Sequence, residues 1–169
     1  MSLSDVLMGL ALLGLLGSMA LPTWQNALTQ TQLKARAQLL MADAQWAQWQ
    51  ALRLAEPIDL RPLACAATAS TAPAPPGPDW SCGWQVLRPA STQLPTDILL
   101  RQRDLSPTLR MQASLAQAAW RFDAQGRWRM GAMRVVWSPA LSQGKLTSLT
   151  VCVSNTGRWR WQSGSGCST

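Results

Sequence analysis

The sequence predicts an α+β protein, one long N-terminal helix followed by a domain of mostly antiparallel sheet. Three observations predict it. From Val6 to Leu21 there is no charged side chain and one polar one, Ser18. A helical apolar period then continues past Pro22 and stops at Glu56-Pro57. From Ile58 onward the chain breaks into short stretches separated by turn residues, and runs of strands after a helix give an α+β architecture. A length of 169 residues suits one globular domain plus an anchor, too little for two full domains.

The first region is 1–22. At the helical rise its residues cover roughly 32 Å, about the thickness of a bilayer's hydrocarbon core. Met1 to Leu10 contains no Lys or Arg, whereas a secretory signal peptide opens with basic residues and closes on a small-residue cleavage site. The segment is therefore expected to be a retained transmembrane helix. Pro22 removes a hydrogen bond and kinks it, which a membrane-to-water junction tolerates. The second region, 23–54, is an amphipathic continuation of the same helix. Leu28, Ala35, Leu39, Ala42, Trp46 and Trp49 recur at spacings of 7, 4, 3, 4 and 3, a stripe expected to face the domain core. Lys34, Gln38, Gln45, Gln48 and Arg53 fall off that stripe. Glu56-Pro57 ends the helix because the residue before proline is pushed out of the helical region.

The third region, 55–169, is a β-rich head. Ile58–Arg61, Gly83–Leu87, Ile98–Arg101 and Leu109–Met111 are expected strands. Ala64–Pro78 is an Ala/Thr/Pro-rich surface loop. Trp120–Asp123 runs into a turn at Ala124-Gln125-Gly126 and out through Arg127–Met130, a hairpin pattern. Arg134–Trp137 leads to a turn at Ser138-Pro139. Leu146–Val153 is a strand, Ser154-Asn155-Thr156-Gly157 a turn, and Arg158–Trp161 its return. The tail from Gln162 is polar and Gly/Ser-rich.

Composition narrows the chemistry. There are 15 basic residues against 8 acidic ones, and 13 of the basic residues are Arg, whose planar fork matches phosphate. Such a chain is drawn to polyanions, nucleic acid or anionic lipid. There is no His, the commonest general base and metal ligand, no Gly-x-Ser-x-Gly, no Walker loop, and a single Glu, Glu56. No enzyme, cofactor or metal site is expected. Cys65, Cys82, Cys152 and Cys167 form no C-x-x-C pair. An even count behind an anchor implies two disulfides in an oxidising compartment. Of the three pairings, Cys65–Cys82 and Cys152–Cys167 each close a short loop, and each contributes about 3 kcal/mol on the loop-entropy view. The disulfides put residues 29–169 outside the cytoplasm, although Lys34 and Arg36 mildly oppose that orientation.

Asp5 and Pro22 in an apolar N-terminal helix resemble the mature N-terminus of type IV pilins, although an ordinary single-span anchor fits these 22 residues equally well. Two features depart from the pilin pattern: Asp5 stands where Glu is usual and Met1 where Phe is usual. With no leader preceding Met1, the chain is expected to be in mature form or truncated at its start. In the head, Asp79-Trp80…Gly83-Trp84-Gln85-Val86-Leu87, then Trp120-Arg121-Phe122-Asp123-Ala124-Gln125-Gly126, then Val153-Ser154-Asn155-Thr156-Gly157-Arg158-Trp159-Arg160 resemble the GspH/FimT group of pseudopilins and minor pilins. With the helix, the resemblance covers nearly the whole chain. It implies a helix packed on two small antiparallel sheets. It also implies processing by a prepilin peptidase, N-methylation of Met1, and assembly with other pilins into a filament at the inner membrane of a Gram-negative cell. Asp5 would there pair with the Met1 amine of a neighbouring subunit, since a carboxylate in the apolar layer is costly unless paired. Its other reading is a helix N-terminal cap near the headgroups.

Some FimT-type minor pilins are double-stranded DNA receptors in natural transformation (competence), and a G-R-x-R motif binds. Gly157-Arg158-Trp159-Arg160 matches it, with Arg158 and Arg160 expected on one face of a strand, roughly 7 Å apart. A second copy, Gly126-Arg127-Trp128-Arg129, lies on the other hairpin with Arg121 and Arg134 nearby; if both turns face one way, they form a cationic patch with Trp available for stacking. The alternative for both copies is a plain turn whose Trp packs inward and whose Arg are solvated or pair with Asp123. Three functions therefore stand at this point: a structural filament subunit of a type II secretion or type IV pilus system, a DNA-binding subunit, and a stand-alone membrane-anchored periplasmic domain.

Overall fold

The computed structural model describes residues 3–65, 79–92, 94–105, 109–115, 117, 119–139, 148–164 and 166–167. Within the N-terminal helix the side chains of 3–5, 9–23 and 25–26 are outside that description. Most side chains of the expected membrane span and most of the Ala64–Pro78 loop therefore lie outside it. Among the described residues, no helix is long and apolar enough to cross a membrane.

One helix, α1 (Leu3–Leu54), precedes eight strands. The chain divides into two compact units, Met1–Gln32 and Leu33–Thr169. The helix does not stop at proline alone. Ala55 adopts a φ of 52° and the Glu56 amide bonds the Ala51 carbonyl, a left-handed C-cap that usually falls to glycine.

In the second unit the strands are β1 (Ile58–Pro62), β2 (Gly83–Arg88), β3 (Ile98–Asp104), β4 (Leu109–Ala113), β5 (Trp120–Phe122), β6 (Met133–Pro139), β7 (Leu149–Val153) and β8 (Trp159–Ser163). They form two four-stranded antiparallel sheets, ordered β3-β2-β1-β5 and β4-β6-β7-β8. The expected α+β class, with a helix on two small antiparallel sheets, is what the molecule has. Both short-loop disulfides are formed, Cys65–Cys82 and Cys152–Cys167.

Three local expectations are corrected. Arg127–Met130 is not a strand: the hairpin from β5 closes through hydrogen bonds between Asp123 and Arg127 and between Arg129 and Arg121, then keeps a single bridge, Phe122 to Trp128. β6 continues through Ser138-Pro139, where a turn was expected, because β4 pairs with it out to Leu109 opposite Pro139. β8 likewise extends through Gln162 and Ser163 into the expected tail.

The helix face is the larger correction. The stripe Leu28, Ala35, Leu39, Ala42, Trp46 and Trp49 is not the face at the centre of the core: Leu39 and Trp46 pack on the core's margin, but Trp49 is 71 % exposed and Leu28 47 %. The buried residues are Leu33, Ala37, Leu40, Ala44, Ala47 and Ala51, at spacings of 4, 3, 4, 3 and 4. The reason is volume. Trp80, Trp84, Trp120 and Trp137 from the sheet side are fully buried, so four of the six apolar residues the helix buries are alanines. Trp80 and Trp120 stack at 3.8 Å between centroids. The helical residues expected off the stripe, such as Gln38, Gln45 and Gln48, are exposed.

Candidate functional site

Both Gly-Arg-Trp-Arg copies follow tight turns that require a left-handed glycine. Gly126 has φ 66° and Gly157 φ 79°. A Cβ on Gly126 would fall 2.7 Å from Leu52 Cγ on α1, and one on Gly157 would fall 2.7 Å from Trp128 Cβ. Glycine is thus required twice at each turn, for conformation and for space. The Gly157 contact also brings the two copies side by side.

Their tryptophans are what join them. Trp128 and Trp159 meet edge-on at 5.5 Å between centroids, and Trp159 reaches Trp120 at 6.2 Å. Trp128 packs on Phe122 and its indole N–H donates to the Gly131 carbonyl at 2.6 Å. The expectation that these rings are available for stacking on a ligand is therefore corrected: they fill the seam between the hairpins.

The arginines separate into two classes. Asp123 accepts from Arg127 at 3.1 Å and lies 3.2 Å from Arg129, so both guanidinium groups of the first copy share one acid. Desolvation alone would raise the Asp123 carboxyl; backbone amides of Arg127 and Gln125 and the Arg127 side chain outweigh it, and its pKa is lowered. Arg121 forks onto the buried Asp59 at 2.6 and 2.7 Å, which raises its pKa and commits its charge to that acid. In the second copy Arg158 and Arg160 are exposed, and among the described residues neither has an acidic partner. The Arg158 amide donates to Ser154 Oγ at 3.0 Å and the Ser154 amide to the Arg158 carbonyl at 3.0 Å, which extends the β7–β8 ladder to Arg158. Arg158 and Arg160 accordingly share the sheet face turned away from the core, with Trp159 on the other.

Of the filament residues, Met1 and the side chains of Asp5 and Pro22 lie outside the described residues. Several large apolar groups on α1 stand in solvent. Trp24 is 67 % exposed in the first unit; in the second, Trp49 and Leu52 (50 %) are exposed, and Trp161 on β8 is half-exposed beside Lys34, whose Nζ lies 5.9 Å from the ring centroid.

Two acids went unmarked in the sequence reading. Asp43 on α1 holds Arg101 at 2.7 Å, Arg103 at 3.0 Å and the Trp84 indole at 3.0 Å. Asp59 holds Arg121 and, at 3.2 Å, Arg61, which also reaches Asp97 at 2.6 Å. Glu56 pairs with Arg88. A lone acid inside an apolar pattern, Ile58-Asp59-Leu60 for one, was the available signal.

The family model described as type II transport protein GspH matches residues 36–157. Two crystal structures of the type IV minor pilin FimU from Pseudomonas aeruginosa PAO1 share the fold. One is 19 % identical with a TM-score of 0.57, covering 79 % of this chain and 90 % of its own. The other is 18 % identical with a TM-score of 0.54, covering 76 % and 91 %. No curated protein sequence is significantly similar to this chain.

Proposed function

The chain belongs to the GspH family of pseudopilins and minor pilins, and from that premise we propose that it is a structural subunit of a type II secretion or type IV pilus filament. Residues 1–22 anchor it in the inner membrane of a Gram-negative cell, and the head lies in the periplasm. Prepilin peptidase prepares its N-terminus, which is then methylated, and Asp5 pairs with the Met1 amine of an adjacent subunit.

The observation that carries this reading is the two-sidedness of α1. The helix buries alanines on its own sheets and leaves Trp49 and Leu52 in water. Large apolar groups left exposed together on one helix mark a surface for partners. A photo-crosslinking residue at position 49, used in intact cells, is expected to capture other pilins. Labelling of the protein with no pilin adduct would reject the assignment.

A second reading rests on a different observation. Arg158 and Arg160 are exposed on one face with no acid to neutralise them, which supports double-stranded DNA as a ligand of Gly157-Arg158-Trp159-Arg160. Arg127 and Arg129 share the Asp123 carboxylate, which makes that turn the weaker candidate. Replacing Arg158 and Arg160 with Ala is expected to weaken a DNA mobility shift equally for any sequence. A shift that survives unchanged would eliminate the motif.

A further inference from the structure

We propose that the outer edge of β8 is a docking site for an extended, acidic strand of another protein, which adds to the second sheet as a fifth strand. The proposal puts Arg158 and Arg160 to a different use from the DNA reading and does not depend on the filament reading.

The backbone provides the template. The Ser154 N–H donates to the Arg158 carbonyl and the Gly164 N–H to the Ser148 carbonyl. Between them the register runs unbroken, from Val153 opposite Trp159 to Leu149 opposite Ser163. Antiparallel bonding alternates, so Arg160 and Gln162 turn their main-chain groups to β7 while Trp159, Trp161 and Ser163 turn theirs away from it. Among the described residues, no strand or loop bonds to those outward groups.

The other three sheet edges differ. On β5 the Arg129 N–H donates to the Arg121 carbonyl, so the chain itself covers that edge. On β4 the Met111 N–H donates to Ser81 Oγ at 3.1 Å. β3 pairs with β2 through a register shift at Val86/Leu87, and a bulge of that kind discourages strand addition. The tail leaves β8 on its covered side, since Thr150 Oγ1 donates to the Gly164 carbonyl and Cys167 is joined to Cys152 on β7.

The side chains select the occupant. Arg158 and Arg160 stand on one face two residues apart, about 7 Å, which is also the repeat of same-face side chains along an incoming strand. No Asp or Glu follows Asp123 in the chain, and neither arginine has an acidic partner among the described residues. On the other face Trp161 is 42 % exposed, with Lys34 Nζ 5.9 Å from its ring centroid. A strand alternating carboxylates with apolar side chains pairs with both faces at once, while its main chain bonds the edge. A second copy of this chain is not that occupant, because none of its eight acids lies two positions from another.

The test is fluorescence anisotropy of the full-length protein in nonionic detergent, with a labelled synthetic peptide of about ten residues alternating glutamate and valine. The parent is expected to bind it, and R158A/R160A to weaken binding about tenfold or more. R158K/R160K should retain most of the affinity, which separates charge from misfolding. S163P removes an outward N–H and no β7–β8 bond, so it should keep the parent's melting temperature and bind the peptide several-fold more weakly. The same peptide methylated at every second amide should lose most of its binding, as should one with lysine in place of glutamate. Equal binding of the methylated peptide, or of S163P, would show attraction of charge without strand addition and overturn the proposal. So would equal binding of the lysine peptide, or an unchanged affinity in R158A/R160A. If the parent shifts duplex DNA but does not bind the peptide at millimolar concentration, the arginines serve nucleic acid and the docking strand is rejected.

Discussion

Asp43 and Asp59 are completely buried, and each is held by arginines that reach solvent. Burial by itself would raise the Asp43 carboxyl; hydrogen bonds from Arg103, Arg101 and Trp84 outweigh that, and its pKa is lowered below 3.8. A carboxyl lowered on folding contributes stability in full above its unfolded pKa, and that contribution fades as pH falls through the folded value. Asp43→Asn is therefore expected to cost about 3 kcal/mol at pH 7, the low end for breaking a buried pair because the arginines are partly solvated. The same variant should show a shallower loss of stability below pH about 4, measured by urea unfolding across pH. Gly157→Ala meets both a left-handed φ and the Trp128 Cβ, and should lose about 2 kcal/mol or more. Ala55 has the reverse situation: Ala55→Gly relieves the left-handed cap and should stabilise by about 0.5–1 kcal/mol in thermal unfolding.

At the scale of the element, α1 has an alanine face and a tryptophan face, and only the first is used within the chain. A leucine at position 44 or 47 has no space between helix and sheet, so Ala44→Leu or Ala47→Leu should cost about 1–3 kcal/mol. Ala42→Leu, on the exposed side, should change unfolding by less than about 0.5 kcal/mol. A pair of denaturation curves tests the face assignment directly; an equal cost at positions 42 and 44 would contradict it. The large side chains misled the sequence reading here. Size and apolar area give Trp46 and Trp49 more weight than Ala44 and Ala47, yet opposite a sheet already filled with indoles the buried face carries four alanines beside Leu33 and Leu40. Trp46 is not idle: the Arg101 guanidinium lies 4.0 Å from its ring centroid, which helps hold β3 to the helix.

Across the second unit, two sheets share one core with a single stretch of helix, and each disulfide ties one end of the chain's β-rich part. Cys65–Cys82 spans 17 residues and Cys152–Cys167 spans 15. On the loop-entropy view each contributes about 3 kcal/mol, so replacing either pair with serine should lower the melting temperature by several degrees. The charge of the molecule is also organised at this scale. Acids gather where α1 meets the first sheet: Asp43 holds Arg101 and Arg103, Glu56 holds Arg88, and Asp59 holds Arg61 and Arg121.

The order of elements, most strand positions and the two cysteine pairings were legible in the sequence, because period, turn residues and short loop closure are local properties. So was the family, from blocks spread along the chain. Which helix face is buried, which arginines Asp43, Asp59 and Asp123 neutralise, and that Trp128 and Trp159 close the seam between two hairpins were decided only by the tertiary structure. Each of these depends on what a distant segment places opposite a side chain, and packing volume and charge pairing are settled between partners that sequence order does not bring together.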